Sequence, residues 1–283
     1  EDPSYRMDRE VLPPPDDGPG WTSLEAELDV LRPAFIRFGL PPEAHTNGDG
    51  SLVTGTVHLE RLKWLDRWAV RNECLVLVDL FTIPSAYGFN APDPWPAGMS
   101  HCNMAARDND DFARRVVAPL LRHIVDELGL ESVRAFNPVN EALQYGVYQT
   151  PAGGPDPYEH YVEMFRAMRR ALDDAGLDRG RMALVGCDCL CERDLFLMEL
   201  HARGLDIDPC VDTYSAHFYN LRFDTLPPGD GSWSSPIQDV IRRVEAWQRY
   251  LRHKGKPLWV NEIGTFYYGW RENDPAGAGS FDA

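Results

Sequence analysis

The sequence predicts an α/β protein with the architecture of a (β/α)8 (TIM) barrel, truncated at one or both ends. Short apolar runs alternate along the chain with longer amphipathic stretches, which is the pattern of repeated strand–helix units around a parallel sheet. The length of 283 residues also suits this architecture, which typically takes about 250 residues. We therefore expect residues 1–283 to form a single barrel domain.

Six strands are predicted, each from an apolar run rich in β-branched or aromatic residues. They cover residues 34–38, 74–79, 132–136, 182–186, 211–216 and 257–260. An eight-stranded barrel needs two more, and only residues 5–12 and 264–270 offer places for them. Because residues 274–283 read as an unfinished loop, we favour truncation over two missed strands.

Helical patterns lie between these strands, each with an apolar stripe and a charged remainder. They cover residues 23–31, 57–71, 111–128, 157–175, 193–203 and 236–253. Thr22 or Ser23 is the expected N-cap of the first helix, and Asp111 that of the third. Left-handed backbone is expected just after three of the helices, at Gly129, Gly176 and Gly204.

The net charge of −16 at pH 7 limits the classes of partner. An acidic surface repels nucleic-acid phosphates and anionic lipids, and the arginine pairs of the predicted helices are interleaved with acids. No apolar run reaches about 18 residues, the length of a membrane span. We expect neither nucleic-acid nor membrane binding, whereas a neutral substrate tolerates this charge.

Residues 1–9 are polar and carry no secretory signal. The chain begins with Glu1 rather than methionine, which leaves room for a removed targeting segment and hence for secretion. The sequence does not indicate the oligomeric state.

No cofactor is expected. Cys187, Cys189 and Cys191 alternate along one strand end, where they are poorly disposed to close a tetrahedral metal site, so we interpret them as thiols. A metal-dependent barrel hydrolase favours a His-x-His pair at a strand end, and a nicotinamide enzyme has a Gly-x-Gly-x-x-Gly turn. Neither motif occurs in the sequence.

Two glutamates lie where barrel enzymes assemble their active sites. Glu141 follows the strand at 132–136, and Glu262 follows the strand at 257–260. Both therefore fall at the carboxyl end of a predicted parallel strand. Hydrolysis of a glycosidic bond with retention of configuration needs two carboxyl groups about 5 to 5.5 Å apart, and this pair is the candidate.

These residues resemble the motifs of clan A of the glycoside hydrolases, a barrel superfamily that includes cellulases, mannanases and β-glycosidases. Asn140-Glu141 is similar to the Asn-Glu pair after the clan's fourth strand, and Glu262 to the nucleophile after its seventh. Arg37 resembles the arginine of the second strand, and His217-Phe218-Tyr219 the His-x-Tyr after the sixth. The matches fall in order when the visible strands are numbered from two.

The resemblance implies a retaining β-glycosidase with Glu141 as acid/base, Glu262 as nucleophile and no metal or organic cofactor. A cation at Arg37 keeps Glu262 ionised, while a more apolar site lets Glu141 hold its proton. Asn140 is expected to bind a sugar hydroxyl, and His217 or Tyr219 to hydrogen-bond the nucleophile.

Three features depart from the clan's pattern or are left open. Asn140-Glu141 is followed by Ala142 rather than proline, and the clan's third-strand histidine is replaced by Asp79. Asp79 either binds a sugar hydroxyl or holds a polar network at the top of the barrel. Trp95, in the Pro/Gly-rich loop 84–103, and Trp270 are candidate sugar platforms.

The alternative function is a non-catalytic carbohydrate-binding barrel. In that case the cleft persists, but the absent strands or the altered third-strand site prevent turnover. Sugar binding would then survive Glu262→Gln, with no hydrolysis before or after the substitution.

Overall fold

The computed structural model describes residues 19–80, 83–84, 86–89, 105–140, 148, 150–190, 196–219 and 236–264. Within them, six parallel strands form one sheet in chain order. The strands are β1 (Phe35–Gly39), β2 (Leu75–Asp79), β3 (Val133–Asn137), β4 (Ala183–Leu190), β5 (Thr213–Tyr219) and β6 (Leu258–Gly264). Each predicted strand is therefore confirmed. Of the two places where further strands were expected, residues 5–12 lie outside the described residues, and so do residues 265–270 of the second.

Helices connect successive strands, as the alternating pattern predicts. They are α1 (Pro19–Leu31), α2 (Val57–Arg71), α3 (Asn109–Phe112), α4 (Ala118–Arg122), α5 (Pro157–Asp174), α6 (Phe196–Ala202) and α7 (Pro236–Leu251). Single π-helical turns follow α3 and α4, so that one interrupted helical stretch spans the predicted third helix. None of the described helices is long and apolar enough to cross a membrane.

The ends of the helices differ from the predictions at two caps. The helix α1 begins at Pro19, one turn before the expected Thr22 or Ser23. The N-cap of α3 is Asp108, whose carboxylate accepts a hydrogen bond from the Asp111 backbone N–H at 2.9 Å. Asp111 is therefore the third residue of the helix and not its N-cap. The Asp108 carboxylate takes the capping role, because it accepts the hydrogen bond of the Asp111 amide. The left-handed backbone at Gly129, Gly176 and Gly204 is confirmed.

The sheet curls so that its concave face encloses a small apolar layer. Leu77, Ala135 and Val185 are fully buried there. Phe35 on the first strand stacks on Trp259 of the last, with ring centroids 5.1 Å apart. A contact between the two outermost strands requires strong curvature, since strands in a flat sheet lie about 4.8 Å from each neighbour. The described part of the chain is thus a curled α/β half-barrel.

The convex face of the sheet packs against the helices and forms the larger core. Val76, Phe136 and Leu184 belong to this core, together with buried side chains of α2, α4 and α5. Gly186 on β4 faces Phe165 of α5. A Cβ atom there would lie 2.7 Å from the ring of Phe165, so close packing of the helix requires glycine at this position.

The buried His45, in the segment between β1 and α2, predicts that the stability of the fold decreases in acid. Burial of His45 lowers its pKa to about 4, and its ring lies 3.4 Å from the Val53 carbonyl. The unfolded chain therefore binds a proton between pH 6.5 and 4 that the folded chain does not, so stability falls as pH falls through this window. We expect this group to cost about 2 kcal/mol of unfolding free energy between pH 7 and pH 5.

The measurement is urea unfolding of the wild-type protein and of His45→Gln at pH 7 and pH 5. The variant should lose less stability between the two pH values, whatever its stability at pH 7. His253→Gln is the matched control, because His253 is exposed and the substitution should leave the pH dependence unchanged. Equal pH dependence for His45→Gln and the wild type would contradict the prediction.

Candidate functional site

Polar side chains replace the apolar layer at the carboxyl ends of the strands. Arg37 on β1, Asp79 on β2, Asn137 on β3, Asp188 on β4 and His217 on β5 all join one network. The two aspartates, Asn137 and His217 have no exposed surface. The carboxyl ends of parallel strands are where barrel proteins assemble their sites, so this cluster is the candidate functional site.

Arg37 is at the centre of the cluster. Its guanidinium forms ion pairs with Asp79 and with Asp188, the latter at 2.9 Å, and also donates to the Asn140 side-chain oxygen. Asp188 is three strands away in the sheet order, about 14 Å across a flat sheet. The curl of the sheet is therefore what brings the two charges together.

Asp188 connects this arginine to the histidine of the next strand. Its Oδ1 lies 3.1 Å from His217 Nε2 and accepts a hydrogen bond from the Ser215 hydroxyl at 3.0 Å. The Ser215 oxygen in turn accepts from the Asp188 backbone N–H at 3.1 Å. The register of β4 against β5 shifts at this point, and Asp188 has a left-handed backbone with φ of 54°.

Burial raises the pKa of Asp79 well above its ordinary value, and the Arg37 guanidinium opposes that shift only in part. Asp79 Oδ2 pairs with Arg37, while Asp79 Oδ1 accepts a hydrogen bond from the Asn137 side-chain amide at 2.8 Å. Of the two roles that the sequence left open, this geometry fits the holding of a polar network. Asp79 has no exposed surface, and its two carboxylate oxygens face Arg37 and Asn137.

The candidate catalytic glutamates adjoin the cluster in different ways. Glu262 is in β6 rather than after it, and its Cα pairs in register with His217. The strands are longer than predicted here, because parallel pairing continues to Tyr219 and Gly264. Glu141 lies outside the described residues, immediately after Asn140, which is bound to Arg37.

Three more residues belong to the site predicted from the sequence. Tyr219 is the last residue of β5, while Trp95 and Trp270 lie outside the described residues. The structure therefore brings together Arg37, Asp79, Asn140 and His217 of the predicted set.

Sequence analysis missed Asp188, Ser215 and Asn137. Each is a polar residue within a predicted strand or next to its end, at a position that faces the inside of the curl. Asp188 lies between two cysteines, in a segment that the sequence analysis interpreted only for its thiols. A polar residue at an inward position near the carboxyl end of an apolar strand is the signal that could have found Asn137 and Ser215. Alternation counted from the inward-facing Val185 places Asp188 on the outer face, and the register shift between Cys187 and Cys189 is what turns it inward.

A second group of side chains has the composition of a metal site but a different environment. His201, Asp206 and Asp208 each place one ligand atom within 4.8 Å of the others. The Lys254 ammonium forms an ion pair with Asp208 and lies 3.3 Å from His201 Nε2. A protein cation thus already pairs with one of the two carboxylates of this group, which lies on the segments leading into β5 and β6, at the end opposite the site.

Comparison by sequence finds no match to a protein family or to an individual characterised protein. Comparison by structure does find relatives. A family 39 glycoside hydrolase from Bacteroides cellulosilyticus WH2 superposes with a TM-score of 0.53 at 16% identity over 90% of this chain. A family 5 lichenase from Caldicellulosiruptor sp. F32 gives 0.55 at 14% identity over 86%. A family 5 broad-specificity endoglucanase from Clostridium cellulovorans gives 0.54 at 11% over 85%.

The chain is similar in fold to the clan A glycoside hydrolases. The resemblance stated from the sequence motifs is thereby confirmed at the level of the fold, while the family within the clan is not determined. The chain spans 48% and 65% of the lengths of the first two structures.

Proposed function

We propose that the protein is a retaining glycoside hydrolase that cleaves β-glycosidic bonds on a (β/α)8 barrel, with Glu141 as acid/base and Glu262 as nucleophile. The observation that supports this most strongly is the buried cluster at the carboxyl ends of the strands. It contains the predicted Arg37 and His217, and it holds Asn140, the neighbour of Glu141. The backbone of His217 is in register with that of Glu262 on the next strand.

The proposed reaction proceeds in two displacements. In the first, the Glu262 carboxylate attacks the anomeric carbon while Glu141 gives its proton to the leaving oxygen, so the glycosidic bond breaks and a glycosyl ester forms. In the second, Glu141 takes a proton from water, the water oxygen attacks the same carbon and Glu262 leaves as a carboxylate. The sugar is released with its β configuration, and no metal or redox partner enters the balance.

The charges of the cluster are compatible with an ionised nucleophile. With both aspartates ionised, the single guanidinium would be outnumbered by carboxylates, which disfavours a further anion nearby. The raised pKa of Asp79 favours its neutral form. Arg37 then faces one ionised aspartate, Asp188, instead of two, which leaves more of the positive potential of its guanidinium for the proposed nucleophile.

The clan neighbours guide the choice of substrate. One is named a lichenase and another a broad-specificity endoglucanase, so β-linked glucans are the first polysaccharides to test. Trp95 and Trp270 remain the proposed sugar platforms, because aromatic faces stack on the apolar faces of sugar rings.

The experiment is hydrolysis of a panel of aryl β-glycosides and β-linked polysaccharides, with the anomer of the first product followed by NMR. Release of the β anomer supports the proposal, whereas initial release of the α anomer would indicate inversion and overturn it. Sugar binding without turnover on any substrate would favour the carbohydrate-binding barrel instead.

The role of Glu141 predicts a dependence on the leaving group. General acid catalysis contributes on the order of 10² to 10⁴ in rate. We expect Glu141→Gln to lower kcat by about 10³-fold on a β-linked oligosaccharide, but much less for bond cleavage in a dinitrophenyl glycoside, whose leaving group needs no proton. Pre-steady-state release of the phenol measures that step, and equal losses on both substrates would contradict the assignment.

A further inference from the structure

We infer that Asp188 is a positioning residue for this hydrolysis, which holds Arg37 and His217 in the orientation that they need beside Glu262. The inference rests on the proposed function. Neither the motif comparison nor the site predicted from the sequence includes Asp188.

Three polar side chains converge on the Asp188 carboxylate. The Arg37 guanidinium, on β1, lies 2.9 Å from Asp188 Oδ2. On the side of β5, His217 Nε2 lies 3.1 Å and the Ser215 hydroxyl 3.0 Å from Asp188 Oδ1. Asp188 and His217 have no exposed surface, and the Arg37 side chain is 11% exposed. With water excluded, these contacts fix the rotamers of both partners.

The backbone at Asp188 is shaped to present this carboxylate. Asp188 has φ of 54°, a conformation that costs a non-glycine residue about 1 kcal/mol or more. The hydrogen bond from its backbone N–H to Ser215 Oγ and the register shift between Cys187 and Cys189 maintain it. Such a conformation persists where surrounding contacts determine it, which is common in functional sites.

The same carboxylate also acts on the histidine. Asp188 Oδ1 lies 3.1 Å from His217 Nε2, and a negative charge at this distance favours a proton on the ring nitrogen that it faces. His217 is paired in register with Glu262, so the state of its ring is felt beside the proposed nucleophile. An asparagine in place of Asp188 offers one acceptor oxygen and an NH2 group, so that either Arg37 or His217 then meets a donor instead of an acceptor.

The test is steady-state kinetics of Asp188→Asn on an aryl β-glycoside that the wild-type protein hydrolyses. We expect kcat to fall on the order of 10²-fold, as for loss of a group that orients catalytic residues, with KM within about threefold of the wild-type value. A loss of substrate affinity alone, with kcat unchanged, would overturn the inference.

Asp212→Asn is the matched control for a loss of stability. Asp212 precedes β5 at its amino end and binds Arg169 at 3.4 Å and Arg179, so the same charge is removed from an arginine-bound aspartate far from the site. We expect it to lower Tm while kcat stays within about twofold of wild type. Equal falls of kcat in the two variants would show a merely structural role for Asp188.

Ser215→Ala decides the question if Asp188→Asn does not fold. It keeps the charge of Asp188 but removes the hydroxyl that binds both its carboxylate and its backbone N–H. We expect an approximately tenfold lower kcat, and a wild-type kcat would overturn the inference. A wild-type protein that hydrolyses no glycoside refutes the proposed function itself, whereas an active wild type with an equally active variant refutes only the role of Asp188.

Discussion

Glu262→Ala is expected to lower kcat on an aryl β-glycoside on the order of 10⁴-fold or more, because a covalent intermediate cannot form without its nucleophile. Sodium azide should restore turnover of the variant. The azide ion occupies the space left by the carboxylate and attacks the anomeric carbon from the same side, so the product is an α-glycosyl azide.

The control for this prediction is Glu163→Ala. Glu163 is on α5, where it pairs with Arg170 at 2.6 Å on the protein surface, and its loss should leave kcat unchanged. Turnover by Glu262→Ala equal to that of the wild type would remove Glu262 from the mechanism. Lost activity that azide restores as the β-azide would be inconsistent with a nucleophile at this position.

Arg37→Met is expected to have the largest effect on stability. The substitution keeps most of the apolar stem but leaves the fully buried Asp79 and Asp188 without the guanidinium that pairs with both. Removing one partner of a buried ion pair typically costs about 3–5 kcal/mol. We expect a loss of this size in the free energy of unfolding at pH 7, together with loss of hydrolysis.

The pH dependence of that loss provides a second check. Buried carboxylates without a cation take up protons, so the folded variant binds more protons than its unfolded chain, and its stability falls as pH rises. The difference between wild type and variant should therefore narrow from pH 7 to pH 5 in urea unfolding. Arg181→Met, which removes a half-exposed partner of Asp126, should cost at most about 1 kcal/mol. A similar cost for both variants would contradict the account of the cluster.

The strands could be predicted from the sequence because each contains an apolar run rich in β-branched or aromatic residues, a signal that does not depend on distant residues. Their carboxyl ends could not. β4, β5 and β6 continue beyond the apolar runs through Asp188, His217 and Glu262, whose backbones are held by neighbouring strands. Polar residues in a strand end look like a loop until the partner strand is known.

The candidate site was predictable in its order along the chain but not in its contacts. Arg37 and His217 were found from motifs, yet the residue that joins them, Asp188, is 151 positions from Arg37. Only the curl of the sheet makes that pair adjacent. The expected contact of Arg37 with Glu262 remains a prediction, and the two aspartates that hold Arg37 were not foreseen as its partners.

The central claim is most directly tested by trapping the glycosyl ester. The protein is incubated with a 2-deoxy-2-fluoro glycoside of the sugar that it hydrolyses, carrying a dinitrophenyl leaving group, and its intact mass and peptides are then measured. The account predicts a mass increase of one fluorosugar, located on the peptide that contains Glu262 and absent from Glu262→Gln. Hydrolysis with no adduct, or an adduct on another residue, would contradict it.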